Sequence, residues 1–168
     1  MQIYLKNQFM SSNYKKNYYE CLKISYLCRN MGRIVALDYG KKRTGVAVSD
    51  PLQIIAGGLT TLPSRETVRF LQQYISDNKV DMFILGDPRR MNNEPSENRE
   101  RVLKFKEDLH RSFPDIEIRM VDERFTTCMA HQAIIQAGLK KKDRQNKALV
   151  DEISATILLQ SFLESKKA

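Results

Sequence analysis

Three acidic residues stand where a carboxylate could take part in chemistry. Asp38 closes the apolar run 34–37, and Glu123 closes a second run, 116–121, that is apolar at four of its six positions. Asp151 opens a C-terminal amphipathic helix. If the fold brings these acids together, each pair would repel by roughly 4 kcal/mol at about 4 Å in an effective dielectric near 20. Such a cluster favours a bound cation, because a cation offsets that repulsion.

The atoms that these residues offer restrict the choice of cation. Carboxylate oxygens suit Mg²⁺ or Mn²⁺, and two such ions about 4 Å apart form a common site for phosphodiester cleavage. Each acid alone is equally well explained as a turn or cap residue, because strand ends and first helical turns attract Asp and Glu. The helical pattern places Asp151 on the core-facing stripe of Ala155 and Leu158, but it leaves Glu152 as a substitute.

Composition predicts one globular domain preceded by an extension. The chain has 168 residues, of which 42% are hydrophobic and 29% are charged. All seven glycines and all five prolines lie from Gly32 onward. We therefore expect an N-terminal extension of unknown role over residues 1–30 and the functional domain over 31–168. Charged side chains such as Lys15 and Glu20 interrupt the extension, which therefore predicts neither a signal-peptide core nor a membrane span.

Charge leaves nucleic acid open as a partner. The net charge is +8, from 28 Lys and Arg against 20 Asp and Glu. The first 30 residues hold five basic and one acidic residue, so 23 against 19, or +4, remain for the domain. Several basic side chains fall in or beside predicted loops and helix starts, where they could contact phosphates, although a solvated charged face is the alternative. They are Arg89, Arg90, Arg99, Arg101, Lys140, Lys141, Lys142, Arg144 and Lys147.

Cysteine usage bears on location. Cys21 and Cys28 lie in the extension, and Cys128 stands alone in the domain. This spacing predicts neither a disulfide framework nor a zinc site, and the simplest interpretation is a cytoplasmic protein.

The apolar pattern predicts an α/β domain. Three strands joined by short turns favour an antiparallel meander, and helices alternating with later strands favour parallel pairing in a sheet covered on both faces. Because ligands of such sheets gather at the carboxyl ends of strands, Asp38, Asp87 and Glu123 are expected at one edge. The predicted strands are 33–38, 44–49, 53–61, 80–85 and 116–121. The predicted helices are 64–77 capped by Ser64, 96–110 capped by Ser96, one from Thr126 or Thr127 to Gly138, and 149–163.

Four motifs then follow one another along the domain. They are Ala36-Leu37-Asp38-Tyr39-Gly40 with Thr44-Gly45-Val46-Ala47, then Gly86-Asp87-Pro88, then Asp122-Glu123-Arg124-Phe125-Thr126-Thr127 with Ala130, and finally Val150-Asp151-Glu152-Ile153-Ser154-Ala155. Their order, spacing and chemistry resemble the YqgF family over about Met31 to Glu164. The Asp-x-Gly motif alone is unspecific, but the combination with Asp-Glu-Arg and the C-terminal Asp is specific.

The resemblance implies a single ribonuclease H-like domain, with a mixed five-stranded sheet and helices on both faces. It further implies a nuclease, related to Holliday-junction resolvases, that matures the 5′ end of precursor 16S ribosomal RNA. Asp38, Glu123 and Asp151 would then be the catalytic residues and hold one or two Mg²⁺ or Mn²⁺ ions. Arg124 and Arg43 would lie near the phosphate. The alternative for Arg124 is a salt bridge to Asp122 or Glu123, and the two roles can coexist.

Two positions depart from the family pattern. Asp87 stands where the family has an apolar residue, and Asn92-Asn93 replaces a turn that is often Asp-Gly. Asp87 could add a fourth metal ligand, since related nucleases place an acid at the end of the strand beside the first one. The alternative is a solvent-exposed Asp-Pro turn.

Other functions fit parts of the pattern. Asp-x-Gly before a Thr-Gly strand also marks actin-like and sugar-kinase ATPases, but those need two such domains. A Holliday junction resolvase would use the same metal chemistry in a dimer with two active sites. A non-catalytic nucleic-acid-binding module is the third alternative, and the presence of all three acids favours catalysis. We expect RNA rather than a DNA junction as the partner, no membrane contact, and a monomer or homodimer.

Overall fold

A computed structural model describes residues 31–88, 98–123, 126–138 and 146–166 of the chain. Within these ranges the polypeptide forms a five-stranded sheet, four α-helices and one 3₁₀ turn at Ser64–Glu66. The strands are β1 (Arg33–Tyr39), β2 (Arg43–Ser49), β3 (Ala56–Pro63), β4 (Val80–Asp87) and β5 (Glu117–Asp122). The helices are α1 (Thr67–Asp77), α2 (Arg99–Ser112), α3 (Thr126–Gln136) and α4 (Lys147–Ser165).

The sheet is mixed, with the strand order β3-β2-β1-β4-β5. β2 runs antiparallel to both β1 and β3, whereas β4 runs parallel to both β1 and β5. This confirms the predicted antiparallel meander followed by parallel pairing. It is also the ribonuclease H-like topology that the family resemblance implies.

Both faces of the sheet carry a hydrophobic core. Successive side chains of a strand point to opposite faces. Val35 and Leu37 of β1 therefore pack with apolar side chains of α1 and α2, while Ile34 and Ala36 pack with those of α4. All four are fully buried. The prediction of helices on both faces is confirmed. Among the described residues, no helix combines the length and the hydropathy that a membrane-spanning segment requires.

β3 begins later than its apolar pattern predicts. The pattern predicts a strand over 53–61, and the observed strand is Ala56–Pro63. The Asp50 carboxylate accepts hydrogen bonds from the backbone N–H groups of Ile54 and Ile55, each at 2.7 Å, and of Leu52 at 3.0 Å. These bonds hold residues 50–55 in a turn, so the backbone becomes free to pair with β2 only from Ala56.

The predicted helix starts are partly wrong. Ser64 does not cap α1, because it is the first residue of the 3₁₀ turn Ser64–Glu66 and α1 begins only at Thr67, with Glu66 at the N-cap position; the Ser64 hydroxyl instead donates to the carbonyl of Gly40. α4 begins at Lys147 rather than Leu149, since the Asn146 side chain accepts from the first backbone N–H groups of this helix. Ser96 lies outside the described residues.

The predicted end of α3 is confirmed. Gly138 follows the helix with a φ of 68°, a left-handed conformation that favours glycine.

Candidate active site

The carboxyl ends of three strands meet at one edge of the sheet, because β1, β4 and β5 run parallel. Asp38 lies near the end of β1, Asp87 ends β4, and Glu123 follows β5. β2 runs in the opposite direction, so its first residue, Arg43, lies at the same edge. The acids that the sequence places at strand ends therefore lie together at this edge, and the positively charged Arg43 lies beside them.

Asp38 lies on the central strand of this edge. It pairs with Gly45 of β2, and the residue before it, Leu37, pairs with Leu85 of β4. Burial raises the pKa of Asp38 from its usual 3.8 to about 7, and the neighbouring Asp151 carboxylate contributes to this rise. At neutral pH the site therefore disfavours a negative charge on Asp38 unless a proton or a cation compensates it.

Glu123 reaches back over the end of β4. Its carboxylate fills the space above Gly86, where a Cβ atom would overlap it. Burial raises the pKa of Glu123 to about 8, and the carboxylates of Asp38, Asp87 and Asp122 add to the effect. The absence of a side chain at Gly86 thus lets Glu123 approach Asp38 across the sheet edge.

Asp151 comes to the site on α4. This helix lies directly on β2, because a Cβ atom at Gly45 would overlap the backbone carbonyl of Asp151. The Asp151 carboxylate accepts a hydrogen bond from Arg43 Nε at 2.7 Å and contributes to the raised pKa of Asp38. Glu152 instead directs its carboxylate at Gly58 of β3. Of these two acids of α4, Asp151 is therefore the one beside Asp38.

Asp87 is buried rather than exposed. Only 4% of its surface is accessible, and its Oδ1 accepts from Arg99 Nε of α2 at 2.9 Å. The alternative of a solvent-exposed Asp-Pro turn is therefore wrong. α2 also ties the end of β1 in place, because Asn98 Nδ2 donates to the Tyr39 carbonyl at 2.9 Å and Phe105 stacks on the Tyr39 ring.

A cleft of about 340 Å³ opens at this edge. It is lined by Gly40 and by acidic and basic residues, which are Asp38, Lys41, Lys42, Arg43, Lys147 and Asp151. Two larger clefts, of about 420 and 520 Å³, lie along α2 around Lys106 and His110. Neither is lined by Asp38, Asp87, Glu123 or Asp151, and the first includes residues 114–118, at the opposite end of β5 from Glu123. The smaller cleft is therefore the candidate active site.

The acids fit a hard cation in atom type and charge. They offer carboxylate oxygens, and the raised pKa values of Asp38 and Glu123 show that their surroundings disfavour the ionised forms. Within the described ranges, however, no group of three or more Asp, Glu, His or Cys side chains is arranged to hold a metal ion. Asp151 is engaged by Arg43, so the acids lie near one another without forming a closed set of ligands.

Several of the residues that the sequence predicts to contact phosphates lie outside the described residues. Two basic residues that line the cleft, by contrast, are not among those predicted from the sequence. The cleft includes Lys147 and Arg43, as expected, but also Lys41 and Lys42. Their position in the short turn between β1 and β2, directly after Asp38, is the signal that could have identified them. The residues outside the described ranges are Arg89, Arg90, Arg124, Lys140, Lys141, Lys142 and Arg144.

The sheet topology and the acids at the shared strand ends define a ribonuclease H-like protein with an acidic site. A family model described as "RuvX: Holliday junction resolvase" matches residues 32–165. The chain therefore belongs to the RuvX family, which confirms the resemblance drawn from the motifs.

Relatives match over nearly their whole length. A protein of Phocaeicola vulgatus is 59% identical over 137 residues, which cover 82% of this chain and 99% of the relative. A protein of Flavobacterium psychrophilum is 54% identical over 136 residues, which cover 81% and 99%. Both are named "Putative pre-16S rRNA nuclease". Among solved structures, Thermus thermophilus RuvC in complex with Holliday junction substrate matches with a TM-score of 0.47 and 12% identity, over 82% of this chain and 96% of that one.

Proposed function

We propose that this protein is a metal-dependent nuclease that hydrolyses phosphodiester bonds. The observation that carries the proposal is the position of Asp38, beside Asp151 and Glu123, in surroundings that disfavour the ionised carboxylates. A bound cation would remove that penalty. Asp38, Glu123 and Asp151 would hold one or two Mg²⁺ or Mn²⁺ ions, which supply Lewis acidity toward the phosphate and ease deprotonation of an attacking water.

The basic side chains of the cleft would bind the phosphates of the substrate. Lys41, Lys42 and Lys147 are exposed, so their ammonium groups are accessible to the phosphates of a nucleic-acid backbone. Arg43 lies nearest to the acids, because it already donates to Asp151. Its planar guanidinium can orient a phosphate through two parallel hydrogen bonds. Arg124, Arg89, Arg90, Lys140, Lys141 and Lys142 are further candidates for phosphate contacts.

The substrate that we propose is precursor 16S ribosomal RNA, cut at its 5′ end in the cytoplasm. Support comes from the names of relatives that are 54% to 59% identical to this chain and match over 98% to 99% of their own length. A cleft lined by three lysines and one arginine suits an RNA backbone, although such contacts alone do not distinguish RNA from DNA.

Resolution of Holliday junctions is the second candidate, and the description of the matching family model favours it. A four-way junction requires two cuts related by a two-fold axis, so a resolvase is expected to act as a stable homodimer. An RNA-processing enzyme can act as a monomer.

A direct comparison of substrates separates these candidates. The wild-type protein would be incubated with a labelled 5′-leader precursor 16S RNA and with a four-way DNA junction, each with Mg²⁺ or Mn²⁺. Its mass in solution would be measured in parallel. We expect metal-dependent cutting of the RNA. Paired cuts in the junction by a dimer, with the RNA left intact, would replace the proposed substrate with the junction.

Asp87 is a candidate fourth ligand, since its carboxylate lies close enough to raise the pKa of Glu123. Arg99 competes for this role by donating to Asp87 Oδ1. If Asp87 binds metal, Asp87→Ala changes the Mg²⁺ and Mn²⁺ titrations of cleavage. Unchanged titrations in that variant would rule out the ligand role.

A further inference from the structure

The short turn between β1 and β2 carries much of the positive charge of the cleft. It runs from Gly40 through Lys41 and Lys42 to Arg43, and it is closed by a hydrogen bond from the Gly40 N–H to the Arg43 carbonyl at 2.9 Å. The same turn brings Arg43 Nε within 2.7 Å of Asp151. A small displacement of this turn would therefore move three cations relative to the acids.

Three buried hydroxyl groups lie behind the turn. Thr44 and Thr67 are fully buried, and Ser64 is 8% exposed. Thr67 Oγ1 donates to Thr44 Oγ1 at 3.1 Å, and Thr44 Oγ1 donates to Ser64 Oγ at 3.2 Å. Ser64 Oγ in turn donates to the Gly40 carbonyl at 2.7 Å. This hydroxyl relay, Thr67-Thr44-Ser64, begins at the first residue of α1 and ends on the backbone of the turn.

A second hydrogen bond joins Ser64 to the turn between β1 and β2. The Ser64 N–H donates to the Lys42 carbonyl at 3.2 Å, so Ser64 holds the turn at two backbone positions. Neither Ser64 nor Thr67 lines the cleft. The relay therefore acts on the cationic side chains of the turn through backbone carbonyls, without contacting the substrate.

The chemistry of the relay points to positioning rather than packing alone. A buried hydroxyl contributes little net stability over an apolar group of the same shape. Because its hydrogen bond must be satisfied, however, it fixes the position of the group that it bonds. Here all three hydroxyls are satisfied by one another and by the turn. Alanine at position 64 would leave the Gly40 carbonyl without the Ser64 hydroxyl, and valine at position 67 would leave Thr44 Oγ1 without its donor.

We propose that Ser64 and Thr67 are positioning residues, which act through Thr44 and Gly40 to hold Lys41, Lys42 and Arg43 in the orientation that binds substrate phosphates. The proposal rests on the proposed function, since it assigns those cations to a nucleic-acid backbone. It goes beyond that function by placing part of the control of binding in α1 and the 3₁₀ turn, outside the cleft.

The test compares Ser64→Ala and Thr67→Val with Thr67→Ser, which retains the hydroxyl, and with Ser76→Ala. Ser76 is an exposed serine near the other end of α1, so it is a matched control for loss of a hydroxyl. The readouts are the Kd for precursor 16S leader RNA without metal, its dependence on salt, KM and kcat with Mg²⁺, and the thermal midpoint of unfolding.

We expect Ser64→Ala and Thr67→Val to raise Kd and KM by about threefold to tenfold, the effect of one lost hydrogen bond. The salt dependence of Kd should become shallower, because fewer cations contact phosphates. Thr67→Ser and Ser76→Ala should resemble wild type. A merely structural relay would lower the thermal midpoint while leaving KM and the salt dependence of the folded protein unchanged, and that result would overturn the proposal.

Failure of the proposed function gives a different pattern. If wild type and Asp38→Asn bind RNA but neither cuts it, the nuclease proposal fails, while Kd and its salt dependence still test the relay. If wild type cuts and Ser64→Ala matches it in Kd, KM and salt dependence, the relay proposal fails alone.

Discussion

Arg43 and Asp151 lie 108 positions apart in the chain, yet Arg43 Nε donates to Asp151 Oδ2 across 2.7 Å. The pair joins the start of β2 to α4, and it is only partly buried, with 37% and 27% of the two side chains exposed. Arg43 therefore holds Asp151, one of the three proposed metal ligands, in a fixed position. A cation that binds Asp151 has to compete with this guanidinium.

The competition predicts two opposite effects of Arg43→Gln. Affinity for Mn²⁺ should rise, because Asp151 becomes available, and affinity for RNA should fall by about threefold to tenfold, because a phosphate contact is lost. Titration calorimetry with Mn²⁺ and an RNA-binding assay measure the two changes. Lys42→Gln is the control for charge, since Lys42 lines the same cleft. Mn²⁺ binding that is equal in the two variants would contradict competition by Arg43.

Gly86 is predicted to be essential for the position of Glu123. In Gly86→Ala the new methyl group would overlap the Glu123 carboxylate, so Glu123 must move away from Asp38. We expect cleavage to fall by at least about tenfold, as for a misplaced catalytic group. Gly57→Ala is the control, since a Cβ there lies 3.9 Å from the Val48 carbonyl, an ordinary contact. Equal activity of the two variants would show that Glu123 is not required where it lies.

Arg99 is predicted to stabilise the fold through Asp87. Arg99→Ala removes a hydrogen-bonding partner from a carboxylate that is 4% exposed, which costs on the order of 1–3 kcal/mol of the free energy of unfolding. Denaturant unfolding of this variant and of Lys104→Ala, an exposed position on the same helix, measures the difference. A change in Arg99→Ala no larger than that in Lys104→Ala would mean that the pair adds nothing to stability.

The raised pKa values predict how stability depends on pH without metal. Unfolded carboxyls lose their protons near pH 4, whereas folded Asp38 and Glu123 retain theirs to about pH 7 and 8. Between these limits the folded state binds more protons than the unfolded state, so the free energy of unfolding falls as pH rises. Thermal unfolding of the metal-free protein from about pH 5 to about pH 8 should show this fall.

Two variants check the source of that pH dependence. Asp38→Asn should make the fall in the thermal midpoint shallower, because one of the two titrating groups is gone. Asp115→Asn should leave it unchanged, since Asp115 is exposed in the turn before β5. Parallel curves for wild type and Asp38→Asn would place the titration elsewhere.

The sequence predicts those parts of the fold that depend on local pattern. The four apolar residues 34–37 identify β1 because a strand buried on both faces is continuously apolar. The common edge for Asp38, Asp87 and Glu123 follows from parallel pairing of their strands. Asp151, rather than Glu152, faces the site because it shares the helical stripe of Ala155, which is fully buried.

What the sequence does not predict depends on contacts between distant segments. Ser64 has the side chain and position of a helix cap, but it begins the 3₁₀ turn Ser64–Glu66 and its hydroxyl donates to the distant Gly40 carbonyl. Asp87 resembles an exposed turn residue until α2 places Arg99 beside it. β3 begins later than predicted because the Asp50 carboxylate accepts three backbone hydrogen bonds, which no apolar pattern reveals.

The central claim is that the acids of this sheet edge form a metal-dependent site for phosphodiester hydrolysis. Its most direct test is the rate of cleavage of a labelled 5′-leader precursor 16S RNA, with Mg²⁺ or Mn²⁺, by wild type, Asp38→Asn and the exposed control Asp115→Asn. RNA binding by each protein is measured in parallel. We predict that wild type and Asp115→Asn cut, and that Asp38→Asn loses at least about 100-fold in rate while it binds RNA as tightly as wild type or more tightly. Equal cutting by Asp38→Asn, or tight binding by all three proteins without any cutting, would contradict the account.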